Sequence, residues 1–182
     1  MHAARLRRAL AVPILAAAAC IAPRDSFGSA RQIHFAPTLG FALIFAPGAS
    51  AGPGGSAGLH VAYDITDAFR VYGQFEYSLT TVPTMASTGI RHGGTFAAGI
   101  AYAIDVTTVV PWFGIGLQTN VFGQPGWTGL TLGPEVRGGA DILASRYVGM
   151  TIQVAYGLQL FQRDRVSDVL SVLAGLRLTL DL

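Results

Sequence analysis

Six ionisable residues fall at matching positions in stretches of alternating polarity: Arg70 and Glu76, then Glu135, Arg137 and Asp141, then Arg177. Even spacing within each stretch puts them on one side of an extended strand, because successive strand side chains point to opposite faces. Charges held away from water persist only when paired and hydrogen-bonded. A salt-bridge network is therefore expected, with Arg137 between Glu135 and Asp141 and with Arg70 and Arg177 reaching across to them. Hydrolytic chemistry is the competing use of such residues. His92 with Ser87 or Thr88 could supply a base and a nucleophile, but a working pair also needs a group to orient the base. No Asp or Glu stands near His92 in the sequence, so neither catalysis nor a cofactor is expected. His34 and His60 stand singly on polar rows, as hydrogen-bonded packing residues; zinc needs three or four converging ligands. The glycines of residues 47–56 (PGASAGPGGS) lack the Lys of a phosphate-cradling loop. Trp127, between Gly126 and Thr128, suits an interfacial anchor.

The elements that must position these residues repeat with period two. In residues 70–79, Val71, Gly73, Phe75, Tyr77 and Leu79 oppose Arg70, Tyr72, Gln74, Glu76 and Ser78. In 148–158, Val148, Met150, Ile152, Val154, Tyr156 and Leu158 oppose Gly, Thr, Gln and Ala. The same division holds in 34–45, 57–65, 95–105, 109–118, 130–142 and 175–182, which makes eight strand-like segments of eight to thirteen residues. A tilted membrane strand needs about 9–11 residues. Connections alternate as well. Tight turns at 64–67, 105–107 and 144–147 are separated by Gly-, Pro-, Ser- and Thr-rich links at 47–56, 80–94, 119–129 and 161–168. Short turns at one end and longer loops at the other are the pattern of outer-membrane barrels.

Composition decides which row faces outward. Of 182 residues 51% are hydrophobic and 12% charged, with mean hydropathy +0.47; ordinary soluble domains carry about 25% charged residues. All 12 basic residues are Arg, and from residue 31 onward eight of them face nine acids, so no basic surface exists for nucleic acid. The polar rows are mostly Gly, Ala, Thr, Ser and Gln, a poor coat for a soluble lipocalin-like barrel. The apolar rows carry no Arg, Asp or Glu, and a lipid-facing Arg at mid-bilayer costs about 2–4 kcal/mol. Tyr63, Phe69, Phe75, Tyr77, Tyr102 and Tyr156 suit aromatic girdles. The apolar rows are accordingly assigned to lipid and the small and charged rows to the lumen. Closure into an eight-stranded antiparallel up-and-down transmembrane β-barrel (all-β) then pairs every backbone group.

An address segment precedes the barrel. Arg5, Arg7 and Arg8 flank an apolar run, residues 9–22, broken by Pro13 and too short to cross a bilayer as a helix. Residues 1–30 read as a cleavable signal peptide ending at Gly28-Ser29-Ala30, and residues 31–182 as the barrel domain. Ala17-Ala18-Ala19-Cys20 offers an alternative processing site with lipidation of Cys20, although a lipobox usually has Leu where Ala17 stands. Cys20 is the only cysteine, so the fold has no disulfide framework.

Leu59-His60-Val61-Ala62-Tyr63-Asp64-Ile65-Thr66-Asp67, Pro111-Trp112-Phe113-Gly114-Ile115-Gly116 and Gly138-Gly139-Ala140-Asp141-Ile142-Leu143-Ala144 are strand and strand-turn phrases. Through them residues 31–182 resemble the small eight-stranded outer-membrane barrels: the membrane domain of outer membrane protein A, and outer membrane proteins X and W. The resemblance implies an outer-membrane location, contact with membrane lipids and lipopolysaccharide, and insertion by the barrel-assembly machinery. Members typically end on an aromatic residue where this chain has Leu182, and no peptidoglycan-binding domain follows. A monomer with a structural or surface-interaction role is expected, its lumen packed and its long loops open to an extracellular ligand. Three alternatives stand beside it: a channel for small solutes or hydrophobic ligands of the outer membrane protein W type, a lipid A-modifying barrel enzyme and a soluble lipocalin-like binding barrel. For the channel, the inward Ala97, Gly99, Ala101 and Ala103 would leave volume.

Overall fold

In a computed structural model, the chain is described over residues 31–45, 51–83, 88–104, 108–124, 127–160 and 168–182. The expected signal segment and Cys20 lie outside these residues, as does Ser87. Eight strands follow one another: β1 (Gln32–Phe45), β2 (Gly52–Asp64), β3 (Phe69–Pro83), β4 (Thr88–Ala103), β5 (Val109–Gln124), β6 (Trp127–Leu143), β7 (Val148–Leu158) and β8 (Asp168–Asp181). Each pairs antiparallel with the next, and β8 returns to β1 to close the barrel. Closure removes the edges that an open sheet would expose.

The alternation reads directly as two surfaces. Along β7, Gly149, Thr151, Gln153, Ala155 and Gly157 are buried while Val148, Met150, Ile152, Val154, Tyr156 and Leu158 are exposed. Large apolar side chains cover the outside: Leu39, Phe96, Ile100, Phe113, Ile115, Leu117 and Val136 are each more than half exposed. In water that surface would collapse or aggregate, because soluble monomers rarely expose apolar patches beyond a few hundred Å². It is a lipid-facing surface. Tyr63, Phe69, Tyr102 and Tyr147 lie by the turn that follows each of β2, β4 and β6. Tyr77 and Tyr156 each sit eight residues along their strands from that end, about 20 Å higher for strands tilted by about 40°. Two belts thus bound a hydrocarbon-facing band, and between them no Arg, Asp or Glu points outward among the described residues. Phe75 lies inside the band, against Phe96 at 4.9 Å between ring centroids, rather than in a girdle.

The strands are longer than the sequence pattern suggests, 11 to 17 residues. Residues 80–94 and 119–129 are not long loops: β3 and β4 pair from Phe69↔Tyr102 to Pro83↔Thr88, and β5 and β6 from Val109↔Ile142 to Gln124↔Trp127. Residues 52–56 likewise belong to β2, so only part of 47–56 is a link. Above the band Thr, Gly and other small or polar residues dilute the large apolar ones that remain (Leu79, Ile90, Val121 and Leu130 outward, Phe122 inward), so the hydrophobic alternation fades although the hydrogen-bond ladder continues. The wall is lopsided in consequence. β5 and β6 run 16 and 17 residues where β7 runs 11, so among the described residues the paired strands reach more than about 10 Å further on this side at about 3.3 Å per residue. One seam is imperfect: the β1–β8 ladder skips Ala36 and Pro37, where proline has no N–H to give.

Candidate functional site in the barrel lumen

The lumen is filled in tiers. Nearest the turns, five side chains from five strands close a ring. His34 (β1) meets Asp64 (β2) through Nε2 and Oδ2 at 2.6 Å, and Asp64 Oδ1 lies 3.1 Å from Arg70 Nε (β3). Arg70 Nη1 and Arg177 Nη1 (β8) both donate to Asp141 Oδ2 (β6), at 2.9 and 2.8 Å. Arg177 Nη2 returns to His34 Nδ1 at 2.9 Å. A guanidinium can only donate and a carboxylate only accept, so this geometry assigns the imidazole proton to Nε2. Two arginines then balance two aspartates. Trp112 Nε1 donates to the other oxygen of Asp141 at 3.3 Å.

Above the ring, Arg137 grips Glu135 with two parallel bonds of 2.9 Å, Nε to Oε1 and Nη2 to Oε2. Bidentate pairing of this kind is both strong and directional. Tyr72 donates to Glu135 at 3.1 Å and its ring lies under the Arg137 guanidinium. Arg137 also reaches Gln153, which donates to Gln74, whose carbonyl oxygen lies 3.1 Å from His60 Nδ1. The His60 ring stacks between Tyr72 and Trp112, at 5.9 and 5.7 Å. Higher still, Thr95 donates to Asn120 at 2.6 Å, and Asn120 and Thr131 both donate to Gln159. Ile44, Phe122 and Val169 form an apolar cluster on this side.

The six charged residues singled out from the sequence are divided among separate places. Arg70, Asp141 and Arg177 share the ring. Arg137 pairs with Glu135 and not with Asp141, because four residues of strand separate the two on β6 and Asp141 is occupied by arginines from across the lumen. Glu76 is buried in no ion pair among the described residues; Ser56 and Ser171 flank it, and Arg137 is the cation that acts on it most strongly. Sequence reasoning passed over three members. Asp64 stood at a turn, His34 looked like solitary packing, and Arg91 lay in a presumed loop but is buried on β4 over the Phe122 ring. With Asp64 and Arg91 included, four arginines and four carboxylates are buried among the described residues. That balance was the signal available.

The volume expected beside Ala97, Gly99, Ala101 and Ala103 is occupied. Tyr72 and Trp112 pack with Ala101 and Ala103, and a Cβ at Gly99 or Gly116 would stand 2.7 Å from the Tyr72 hydroxyl. Small residues on β4 and β5 seat large ones from β3 and β5. The gap among His34, His60, Arg70, Asp141 and Arg177 totals about 200 Å³ and leaves no space for a water molecule.

His92 is on β4, facing outward, not in a loop; Thr88 begins the same strand. Its described partner is Tyr77, with the hydroxyl 2.7 Å from Nδ1. Trp127 is the first residue of β6, opposite Gln124. Among the described residues no group of three His, Cys, Asp or Glu could hold a metal ion.

Comparison with solved structures agrees with this architecture. Neisserial surface protein A superimposes with a TM-score of 0.62 at 16% identity, over 80% of this chain and 96% of that one. The outer membrane protein OprG from Pseudomonas aeruginosa gives 0.62 at 12% identity, over 85% and 98%. The N-terminal β-barrel domain of OprF from the same organism gives 0.54 at 12% identity, over 84% and 99%. No family model matches the chain, and no curated protein matches it in sequence. The chain has the fold of the small eight-stranded outer-membrane barrels.

Proposed function

We propose that this protein is a closed, non-conducting barrel of the outer membrane, working as a monomeric scaffold whose raised hairpins meet partners outside the cell. The lumen carries the reading: three tiers of interlocked side chains cross it, and the lowest leaves no room for water. An eight-stranded barrel has an interior just wide enough for side chains to fill, and here Tyr72, Trp112, Arg137 and the five-residue ring fill it. The belted apolar surface supports the membrane setting, and short turns at the end that carries both β1 and β8 termini support a periplasmic orientation for that end. The tall β3–β6 wall then faces outward as a rigid platform, and exposed loops on such a scaffold are where contacts with other molecules concentrate.

Planar-bilayer recording of purified protein tests the reading. The parent should insert without steady openings, whereas Tyr72→Ala/Trp112→Ala, which removes both large lumen rings, should open a measurable conductance. Steady large openings in the parent protein would refute a sealed lumen.

A further inference from the structure

The barrel closes along the β1–β8 seam, whose backbone ladder passes from Phe35↔Leu178 to Thr38↔Gly175 without pairing Ala36 or Pro37. Arg177 on β8 stands beside that break, and its Nη2 meets His34 Nδ1 on β1 at 2.9 Å. Thr179 Oγ1 lies 3.0 Å from the same nitrogen. Side chains therefore tie the two strands together next to the gap, at the rim of the band beside Tyr63 and Phe69 of the lower belt. The tie suits one form of the imidazole. Nε2 donates to Asp64 at 2.6 Å, and Nδ1 must accept because a guanidinium only donates. A proton on Nδ1 would set donor against donor. Arg177 Nη2 is also 3.1 Å from Nε2, so a cationic ring would have the guanidinium against it at both nitrogens. Charge counts the same way. The groups facing His34 are Asp64 on β2 and Asp141 on β6, and Arg70 on β3 and Arg177 on β8, two of each sign. His60, held by Gln74, and Thr151 line the same space without charge. A further positive charge there would be buried with no counter-charge of its own, while the bond to Asp64 is made in either form.

We propose that His34 is a proton-sensitive clasp on the seam. Neutral, it holds Arg177 and keeps the turn end of β1 fastened to β8. Protonated, it releases Arg177, and the strands part first where Ala36 and Pro37 already leave the ladder unpaired. The device is local: the β4–β5 ladder, on the opposite side of the barrel, is continuous from His92↔Gly123 to Ala103↔Trp112 and does not depend on it.

The test is hydrogen exchange read by mass spectrometry on the full-length protein in phosphatidylcholine bilayers. It is run at about pH 7.5 and about pH 5.5, which bracket the ordinary titration of histidine. Exchange at the turn end of β1 and β8 is divided by exchange along β4–β5 in the same sample, which cancels the intrinsic effect of pH. Uptake of one proton changes an equilibrium by at most about tenfold per pH unit, so the ratio should rise about tenfold in acid for the parent. His34→Gln can donate to Asp64 and accept from Arg177 but takes up no proton, and its ratio should stay within about twofold. Arg177→Met leaves two aspartates facing Arg70, so a proton on His34 restores the balance and the ratio should fall in acid. Heat-modifiability shows beforehand which variants are folded, and either one alone decides. A flat ratio in the parent, or the parent's acid rise repeated in a folded variant, overturns the clasp.

Discussion

Replacing Asp141 with Asn keeps the shape of the side chain and removes one charge from the ring. The consequence can be worked from the contacts. Arg70 and Arg177 both donate to Asp141 Oδ2, and all three residues are at most 5% exposed. Arg70 retains Asp64 at 3.1 Å, but the ionic partner that Arg177 shares with it is lost, leaving a neutral imidazole as its remaining ring contact. Removing one partner of a buried pair costs about 3–5 kcal/mol, mostly because the other charge stays buried without compensation. At about 1.4 kcal/mol per tenfold, the unfolding equilibrium should shift by roughly 10²- to 10⁴-fold. The assay is urea unfolding in lipid vesicles, read by tryptophan fluorescence and by the gel shift of the folded form. A double variant, Asp141→Asn/Arg177→Met, discards the stranded cation as well and should recover about 1–2 kcal/mol of the loss. Asp141→Asn within about 0.5 kcal/mol of the parent, the size of an ordinary surface substitution, would refute the claim that the ring is a mutually dependent unit. Simple additivity in the double variant would refute it equally.

Ile115 is 62% exposed in the middle of the lipid-facing band, so Ile115→Arg should cost about 2–4 kcal/mol in vesicle unfolding. Ile65, 52% exposed in a turn, should tolerate Arg with almost no change, and equal costs at the two sites would show that the band is misplaced. Arg137→Met strands Glu135 beneath Tyr72 and should destabilise by several kcal/mol, whereas Glu135→Gln/Arg137→Met should be milder in the same unfolding measurement. A Cβ at Gly99 would come within 2.7 Å of the Gly116 Cα and of the Tyr72 hydroxyl. Gly99→Ala should therefore lose about 1–3 kcal/mol. Gly73→Ala, where nothing lies within 4 Å, should not, and calorimetry or urea midpoints distinguish the two.

The barrel was legible because one physical rule, alternation against two different solvents, governs every strand inside the band. Val148 to Leu158 declares both faces in eleven residues. The rule fails above the band. Thr80, Arg91, Thr128 and Thr131 lie where neither face must be greasy, and so residues that extend the ladder resembled loops. The lumen was legible as a set of charged positions but not as pairs. A strand sequence says which face Arg137 occupies; it does not say how far strands are sheared past one another, and register is what gave Asp141 to Arg70 and Arg177. Asp64 and His34 escaped notice for a related reason. Each is ordinary in its own strand, and their significance arises only when β1, β2, β3, β6 and β8 surround one point. The Tyr77–His92 contact is likewise cross-strand, between residues fifteen apart on either side of a hairpin.

The junction between β1 and β8 joins residues 143 positions apart, and where Pro37 interrupts its backbone ladder the Arg177–His34 bond crosses the gap. A half-built cylinder lacking its final strand would hold Asp64 and Asp141 against Arg70 alone. It would carry a surplus negative charge into a greasy environment along with two raw edges. An intermediate lacking only the last strand is penalised on both counts, and the seam between β1 and β8 settles the charge balance and removes both edges in one step.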